Sequence, residues 1–189
     1  MFQSFRPAAL LTATVLAAAI PAAAQSAPNR EAAIEFRNQF IKDLDTLQAK
    51  VVALANAIPA EKYAWRPAPG VRSIGEVFMH IASEHYLFTP MSFGGVRSPV
   101  IPRAQDALPK FEANASKDSV LKHLRDGYAY TKAQVMGISP DSLTGTRKLF
   151  GRDFTVMETG LGMTADLHEH LGQLIAYARV NGITPPWSK

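Results

Sequence analysis

A short segment near the carboxyl end of the sequence concentrates side chains that could bind a metal ion. Residues 166–173, Asp-Leu-His-Glu-His-Leu-Gly-Gln, contain two of the five histidines of the chain. Residues four apart lie on the same face of a helix, so Asp166 and His170 can point at one spot. A carboxylate and an imidazole that meet there are suitable ligands for a divalent metal. The spacing therefore predicts part of a metal site on the last helix.

A second pair of the same kind, His80 and Glu84, lies on an earlier predicted helix. Two helices that each offer ligands predict a metal site inside a helix bundle. The apolar periodicity of the earlier helix places His80 at one edge of the buried face and His85 nearer its middle. Because a lone histidine on an apolar face is more often a core residue than a ligand, periodicity alone leaves the choice between His80 and His85 open.

His168 is the remaining histidine of the carboxyl-terminal segment. In a regular helix it lies about 160° around the axis from His170, so the two cannot share one metal. His168 could bind only if the helix is distorted, for example by a π-bulge near Gly172. Asp166 also has an alternative role, since a carboxylate beside a histidine can orient the ring instead of binding the metal.

The elements that must position these side chains are helices. Apolar residues at steps of three and four predict four of them, over about 31–57, 74–88, 117–136 and 155–181. Capping boxes, in which a Ser or Thr precedes a Glu by three residues, open the second helix at Ser73 and Glu76 and the last helix at Thr155 and Glu158. We expect Gly160 and Gly162 to break the first turns of the last helix.

The connections between these helices are long and unequal. Prolines fix the path of residues 59–72, and residues 89–115 are predicted to form a long loop that serves as a lid or wall. Residues 137–154 are predicted to form short turns with a small hairpin around 145–154. The predicted fold class is all-α, a four-helix bundle with long unequal connections.

The amino-terminal residues are predicted to be a targeting signal and not part of the fold. A basic start, an apolar run over 8–20 and an Ala-x-Ala site at 22–24 indicate a secretory signal peptide over residues 1–24. Residues 25–189 then form one domain, exported to the periplasm or secreted. The chain has no cysteine, so it forms no disulfide and offers no thiolate ligand or nucleophile.

Charge and composition limit the partners. The formal net charge is +4 and the basic residues are scattered, which argues against a nucleic-acid surface. No second apolar run predicts stable membrane insertion. A small-molecule substrate is the expected partner, and a homodimer is compatible with such a bundle although no exposed stripe argues for one. The sequence also lacks the Gly-x-Ser-x-Gly, phosphate-loop and His-Glu-x-x-His motifs.

Two segments together resemble a known family. They are Trp-Arg-Pro-Ala-Pro-Gly-Val-Arg-Ser-Ile-Gly-Glu-Val at 65–77 followed by His80-Ile-Ala, and His170-Leu-Gly-Gln-Leu followed by Tyr177-Ala-Arg-x-x-Gly182 with a Pro-Pro pair at 185–186. In this order they resemble the DinB-like superfamily, four-helix bundle proteins related to bacterial thiol transferases and mycothiol-dependent isomerases. The resemblance covers nearly all of residues 25–189.

The resemblance implies a divalent metal held by three histidines, one on the second helix and two on the last. The first maps onto His80 and the second onto His170, whereas the third position is occupied by Asp166 in this chain. We therefore predict His80, Asp166 and His170 as ligands of zinc, nickel or manganese. Glu84 and His168 are the predicted catalytic residues, which would shuttle protons.

The activity that the resemblance implies is metal-assisted transfer of a thiol. A bound cation lowers the pKa of a thiol, and the thiolate is the nucleophile. Hydrolysis by a metal-activated water uses the same kind of site. The alternative hypotheses are a non-catalytic bundle that binds a small ligand and a bundle whose metal is only structural.

Overall fold

Four long helices make up most of the described chain. The computed structural model describes residues 29–188, and the predicted signal peptide lies outside this range. The elements in chain order are α1 (Arg30–Ala57), a 3₁₀ turn (Ala60–Lys62), α2 (Ile74–Phe93), α3 (Ala107–Ala113), α4 (Lys117–Met136), α5 (Pro140–Leu143), β1 (Thr146–Leu149), β2 (Arg152–Thr155) and α6 (Val156–Val180). The predicted all-α four-helix bundle is confirmed, and α1, α2, α4 and α6 are its helices.

The arrangement of the four long helices explains why α2 carries part of the site. α2 packs against α4 and α6, and α1 packs against the same two helices, so α1 and α2 face each other across the bundle. Most of the residues of α2 are buried, including Phe78, Ile81 and Glu84. Side chains on α2 therefore reach the interior on more than one face of the helix. None of the helices within 29–188 is both long and apolar enough to cross a membrane.

Both predicted capping boxes are present and define where the site-bearing helices begin. The Glu76 amide donates to Ser73 Oγ at 3.2 Å, and the Ser73 amide donates to Glu76 Oε2 at 2.6 Å. At α6 the corresponding distances between Thr155 and Glu158 are 3.1 and 2.7 Å. These bonds satisfy amide groups that a helix start leaves free, and they set the phase of each helix.

The region predicted as one long loop is partly helical, so that prediction was wrong in two places. α2 continues past Phe88 and Pro90 to Phe93, because Thr89, Ser92 and Phe93 are buried and their packing outweighs the backbone hydrogen bond that proline cannot donate. A second helix, α3, forms over 107–113. Its proline lies in the first turn, where the backbone N–H has no partner in the helix and proline is tolerated.

A small hairpin connects α5 to α6, as predicted. β1 and β2 pair antiparallel, with Thr146 opposite Thr155 and Leu149 opposite Arg152. The two residues of the turn, Phe150 and Gly151, have φ angles of 51° and 77°. Positive φ at both positions is the geometry that suits the twist of a two-residue hairpin.

The expected break in the first turns of α6 is not observed, since the helix is continuous from Val156. The two glycines differ in their surroundings. A Cβ at Gly160 would lie 2.7 Å from Phe36 Cζ and 3.0 Å from Phe93 Cζ, whereas a Cβ at Gly162 would meet nothing within 4 Å. Gly160 therefore allows α6 to approach the aromatic side chains of α1 and α2.

These surroundings predict that substitution by alanine has opposite effects on stability at Gly160 and at Gly162. Helix propensity favours alanine at both positions, so Gly162→Ala is expected to raise the free energy of unfolding by about 0.5–1 kcal/mol. Gly160→Ala is expected to lower it by about 1 kcal/mol, because overpacking against Phe93 outweighs that gain. Urea unfolding of the two variants measures the difference, and an equal gain in both would contradict the packing role of Gly160.

Candidate metal centre

His80, Glu84 and His170 meet at the interface between α2 and α6. The Nε2 atoms of both histidines lie 3.2 Å from the same atom, Glu84 Oε1. The three candidate ligand atoms all lie within 4.8 Å of one another. Glu84 is only 1% exposed, and the two imidazole rings pack edge to face. The structure therefore brings the two predicted ligand-bearing helices to one point, with a carboxylate at its centre.

The ring of His80 is oriented by a carboxylate from α3. His80 Nδ1 lies 2.5 Å from Glu112 Oε1, and Arg72 Nε donates to Glu112 Oε2 at 3.1 Å. Burial raises the pKa of Glu112, but the hydrogen bonds from His80 and Arg72 outweigh it and leave this pKa below its ordinary value. An ionised Glu112 only accepts, so the proton of a neutral His80 is on Nδ1 and the Nε2 lone pair faces Glu84.

The ring of His170 is oriented by a chain of hydrogen bonds along its own helix. His170 Nδ1 lies 3.3 Å from Gln173 Oε1, and Gln173 Nε2 donates to the Tyr177 hydroxyl at 2.9 Å. Trp65 packs edge-on against Tyr177. An amide oxygen only accepts, so Nδ1 of His170 carries the proton here as well. Its Nε2 lone pair therefore points at Glu84.

When both histidines are neutral with the proton on Nδ1, the result is a buried group of acceptors without a donor among them, and neither oxygen of Glu84 receives a hydrogen bond from residues 29–188. Burial raises the pKa of Glu84. The hydrogen bond that a protonated His170 donates to Glu84 raises the pKa of His170. When Glu84 is ionised, a proton or a cation must lie between its oxygen and the two Nε2 atoms, because three lone pairs that face each other repel.

A divalent metal fits this donor set. Two imidazoles and one carboxylate form a common catalytic zinc site, with the fourth position left open. At ordinary zinc–ligand distances, neighbouring ligand atoms of a tetrahedral site are about 3.3 Å apart. The two observed Nε2–Oε1 distances of 3.2 Å match this spacing. His80, Glu84 and His170 could therefore hold a metal ion.

Asp166 lies at the margin of this group. Its Oδ1 is 3.8 Å from His170 Nε2, and its side chain is 38% exposed. The prediction that Asp166 is a metal ligand is not tested by this geometry and stays a prediction. Glu84, which was predicted to shuttle protons, occupies the central position instead, and its catalytic role likewise remains untested.

The other two histidines considered above point elsewhere. His168 Nε2 lies 3.0 Å from Asp43 Oδ2 on α1, and α6 is a regular helix at this point, as the angular separation from His170 requires. The structure thus does not bring His168 to the cluster, and its proton-shuttling role stays a prediction. His85 is buried against α4, where its Nδ1 lies 3.0 Å from Thr131 Oγ1. His80 and not His85 is the histidine of α2 that faces His170.

Glu112 and Arg72 are the members of the site that the sequence did not indicate. Glu112 lies in the segment that was predicted as a loop, 32 positions from His80. No periodic pattern relates a residue of a short helix to a ring so distant along the chain. A carboxylate that holds the second nitrogen of a ligating histidine is nevertheless a regular feature of metal sites.

This hydrogen bond leads to a prediction. Glu112→Gln is expected to weaken metal binding about 10–100-fold, since an amide can also donate and no longer enforces the tautomer that His80 needs. Competition with a chromogenic chelator measures the affinity, and Glu35→Gln, an exposed residue of α1, is the matched control. An unchanged affinity in Glu112→Gln would show that Glu112 has no part in orienting His80.

Comparison with known proteins agrees with this fold. The family model of the DinB superfamily matches residues 43–174, a range that includes His80, Glu84 and His170. A DinB-like protein from Bacillus subtilis is similar in structure, with 22% identity, a TM-score of 0.61, and coverage of 78% of this chain and 94% of that one. A DinB-like protein from Bacillus cereus has 19% identity, a TM-score of 0.60, and coverage of 80% and 97%. At these identities the two structures support the fold alone.

Among curated proteins, no sequence matches this chain. The family match nevertheless extends over well more than half of the sequence, from α1 into α6. The chain therefore belongs to the DinB superfamily.

Proposed function

We propose that this protein is a metal-dependent enzyme that transfers a thiol or hydrolyses its substrate at a divalent metal held by His80, Glu84 and His170. The observation that carries the proposal is the convergence of two imidazole Nε2 atoms on one buried carboxylate oxygen, both at 3.2 Å. Zinc fits the donor set of two nitrogens and one oxygen best, with nickel and manganese as alternatives. The substrate is a small molecule, and neither nucleic acid nor membrane is a partner in this proposal.

The residues around the centre have different roles in the proposed reaction. A metal bound there would lower the pKa of a substrate thiol or of water and so supply the nucleophile at neutral pH. Because the chain has no cysteine, any thiol in the reaction belongs to the substrate. Glu84 supplies the negative charge that anchors the cation, and Glu112 keeps the Nε2 atom of His80 free to bind. Asp166, partly exposed beside His170, is placed to accept a proton or to complete the ligand set.

Elemental analysis of untagged protein tests the proposal. The wild type is expected to hold about one metal ion per chain after reconstitution, and His80→Ala and His170→Ala are expected to lose it. His168→Ala is the matched control on the same helix as His170, because His168 pairs with Asp43 away from the cluster. Full occupancy in His80→Ala, or no metal in the wild type, would refute the site.

A chelator separates a catalytic metal from a structural one. A metal that only ties the helices together adds its binding free energy to folding, so its removal should lower the melting temperature strongly. A centre with an open coordination position predicts a smaller loss of stability. An equally large loss in a variant that no longer binds metal would show that the chelator acts in some other way.

The proposal also includes export. The basic start, the apolar run and the Ala-x-Ala site over residues 1–24 support cleavage before Gln25 and a mature protein that is periplasmic or secreted. Fractionation of the producing cell followed by amino-terminal sequencing is expected to find a protein that begins at Gln25 outside the cytosol. An unprocessed protein confined to the cytosol would contradict this part of the proposal.

A further inference from the structure

A pocket of about 430 Å³ lies beside the candidate metal centre. Its walls come from the end of α2, from the hairpin and from the first half of α6. They carry mainly aromatic and thioether side chains, among them Phe88, Met91, Phe154 and Met163. Its volume is in the range of small-molecule sites, and such walls suit an apolar group.

Asp166 connects this pocket to the metal centre. It lines the pocket, and its Oδ1 lies 3.8 Å from His170 Nε2. A molecule in the pocket that contacts Asp166 therefore has its polar end next to the centre. Phe150, at the tip of the hairpin, also lines the pocket, and because it is 89% exposed it offers apolar surface for the other end of the molecule to cover.

The charge of the pocket determines whether an apolar ligand with a cationic or an anionic group can bind. Its lining residues in the described chain include Glu158, Asp166 and Glu169 but no lysine, arginine or histidine. Glu158 is occupied by the capping box at the start of α6. Asp166 and Glu169, about one turn apart on α6, are therefore the two carboxylates of the pocket that can contact a ligand. An anionic ligand would be repelled by both carboxylates beside apolar walls, whereas a cation gains charge-assisted hydrogen bonds.

We propose that this pocket binds an apolar amine, with its ammonium group at Asp166 and Glu169 and its hydrocarbon part among the aromatic and methionine side chains. The amine is then the substrate class of the enzyme, and this assignment rests on the proposed function of the neighbouring metal centre. The aromatic walls favour the same class, because ring faces attract cations as well as apolar groups.

Gly162 offers a way to block the pocket without damage to the fold. It lines the pocket, and a Cβ there would meet nothing within 4 Å, so Gly162→Leu places a side chain into free space. Gly172 lies on the same helix, is equally unobstructed and does not line the pocket. Gly172→Leu is therefore the matched control, since both changes raise helix propensity alike.

Calorimetric titration with three probes of one shape tests the proposal: 4-phenylbutylamine, 4-phenylbutanol and 4-phenylbutyrate. The metal-free protein is used first, so that coordination of the amine to a metal cannot contribute. The amine is expected to bind at least about ten-fold more tightly than the carboxylate, with the alcohol between them. Gly162→Leu should weaken binding of the amine by a similar factor, and Gly172→Leu should not.

The double variant Asp166→Asn, Glu169→Gln separates charge from shape. It is expected to bind the amine no better than the alcohol, while its affinity for the alcohol stays that of the wild type. Equal binding of amine and carboxylate by the wild type, or unaltered amine binding by folded Gly162→Leu, would overturn the proposal. Metal content is measured on the same samples: amine binding without a metal site would refute the proposed function alone, and a full metal site without amine binding would refute this inference alone.

Discussion

Glu84→Gln is expected to abolish metal binding and, in the same protein, to make the metal-free fold more stable. Among residues 29–188, Glu84 is the only carboxylate within 3.2 Å of both histidine Nε2 atoms, so its loss removes the negative charge that would neutralise a bound cation. We expect the metal affinity to fall at least about 100-fold. Metal present at about 1,000 times its dissociation constant stabilises a wild-type fold by about 4 kcal/mol, and the variant should lose this gain.

The gain in the metal-free state follows from the burial of the carboxyl group. Burial raises the pKa of Glu84 above its ordinary value of 4.5, whereas the unfolded chain ionises at that ordinary value. The folded state therefore binds the proton more tightly, and its stability falls as the pH rises above 4.5. A glutamine does not ionise, and its two N–H groups can donate to the two Nε2 lone pairs. The expected gain at neutral pH is about 1–3 kcal/mol.

Urea unfolding in the presence of EDTA, and then of zinc, measures both effects. Glu35→Gln, which removes an exposed carboxylate from α1, should change neither. A variant that is less stable than the wild type in EDTA would mean that Glu84 forms a favourable ion pair with the histidines in the metal-free fold. A zinc-induced shift of normal size in Glu84→Gln would remove Glu84 from the ligand set.

The four long helices, including the two that carry the candidate site, could be predicted from the sequence because helix formation follows local rules. The capping boxes at Ser73 and Thr155 place the starts of α2 and α6 correctly, and spacing by four puts His80 with Glu84 on one face and Asp166 with His170 on another. Such rules need only neighbours along the chain.

The difference in burial between Glu84 and Asp166 could not be predicted in the same way. Spacing treats Glu84 and Asp166 alike, each four residues from a histidine, yet Glu84 is 1% exposed and the Asp166 side chain 38%. The difference arises because α2 is covered on several sides by α3, α4 and α6, and sequence periodicity gives the direction of a side chain but not the number of elements above it. Glu112 was missed for a related reason, since the short helix that carries it, α3, is positioned by its packing against α2.

The histidine next to Glu84 is expected to make the fold sensitive to acid. His85 is 2% exposed, and burial lowers its pKa to about 4 from the ordinary 6.5. α2 and α4 approach so closely here that a Cβ at Gly127 would lie 3.0 Å from His85 Cβ. The ring therefore points into the interface with α4, where Nδ1 contacts the Thr131 hydroxyl.

The sign of the effect follows from proton binding in the two states. Between pH 6.5 and 4 the unfolded chain protonates His85 and the folded protein does not, so the free energy of unfolding falls as the pH is lowered through this window. The lowered pKa of His85 reduces the free energy of unfolding by about 3 kcal/mol at pH 4. Above pH 6.5 the lowered pKa has no effect on this free energy. Acid thus acts on the α2–α4 interface, at the residue that follows Glu84 of the candidate metal centre.

His85→Gln keeps a hydrogen-bonding side chain beside Thr131 but removes the titration. In EDTA, its free energy of unfolding is expected to fall less steeply between pH 6.5 and 4 than that of the wild type, while the other carboxyl groups contribute equally to both curves. His123→Gln is the control, because burial lowers the pKa of the half-buried His123 in the same direction and its removal should change the slope by less. Parallel curves for the wild type and His85→Gln would mean that the pKa of His85 is the same in the folded and unfolded states, so that its burial does not make the fold sensitive to acid.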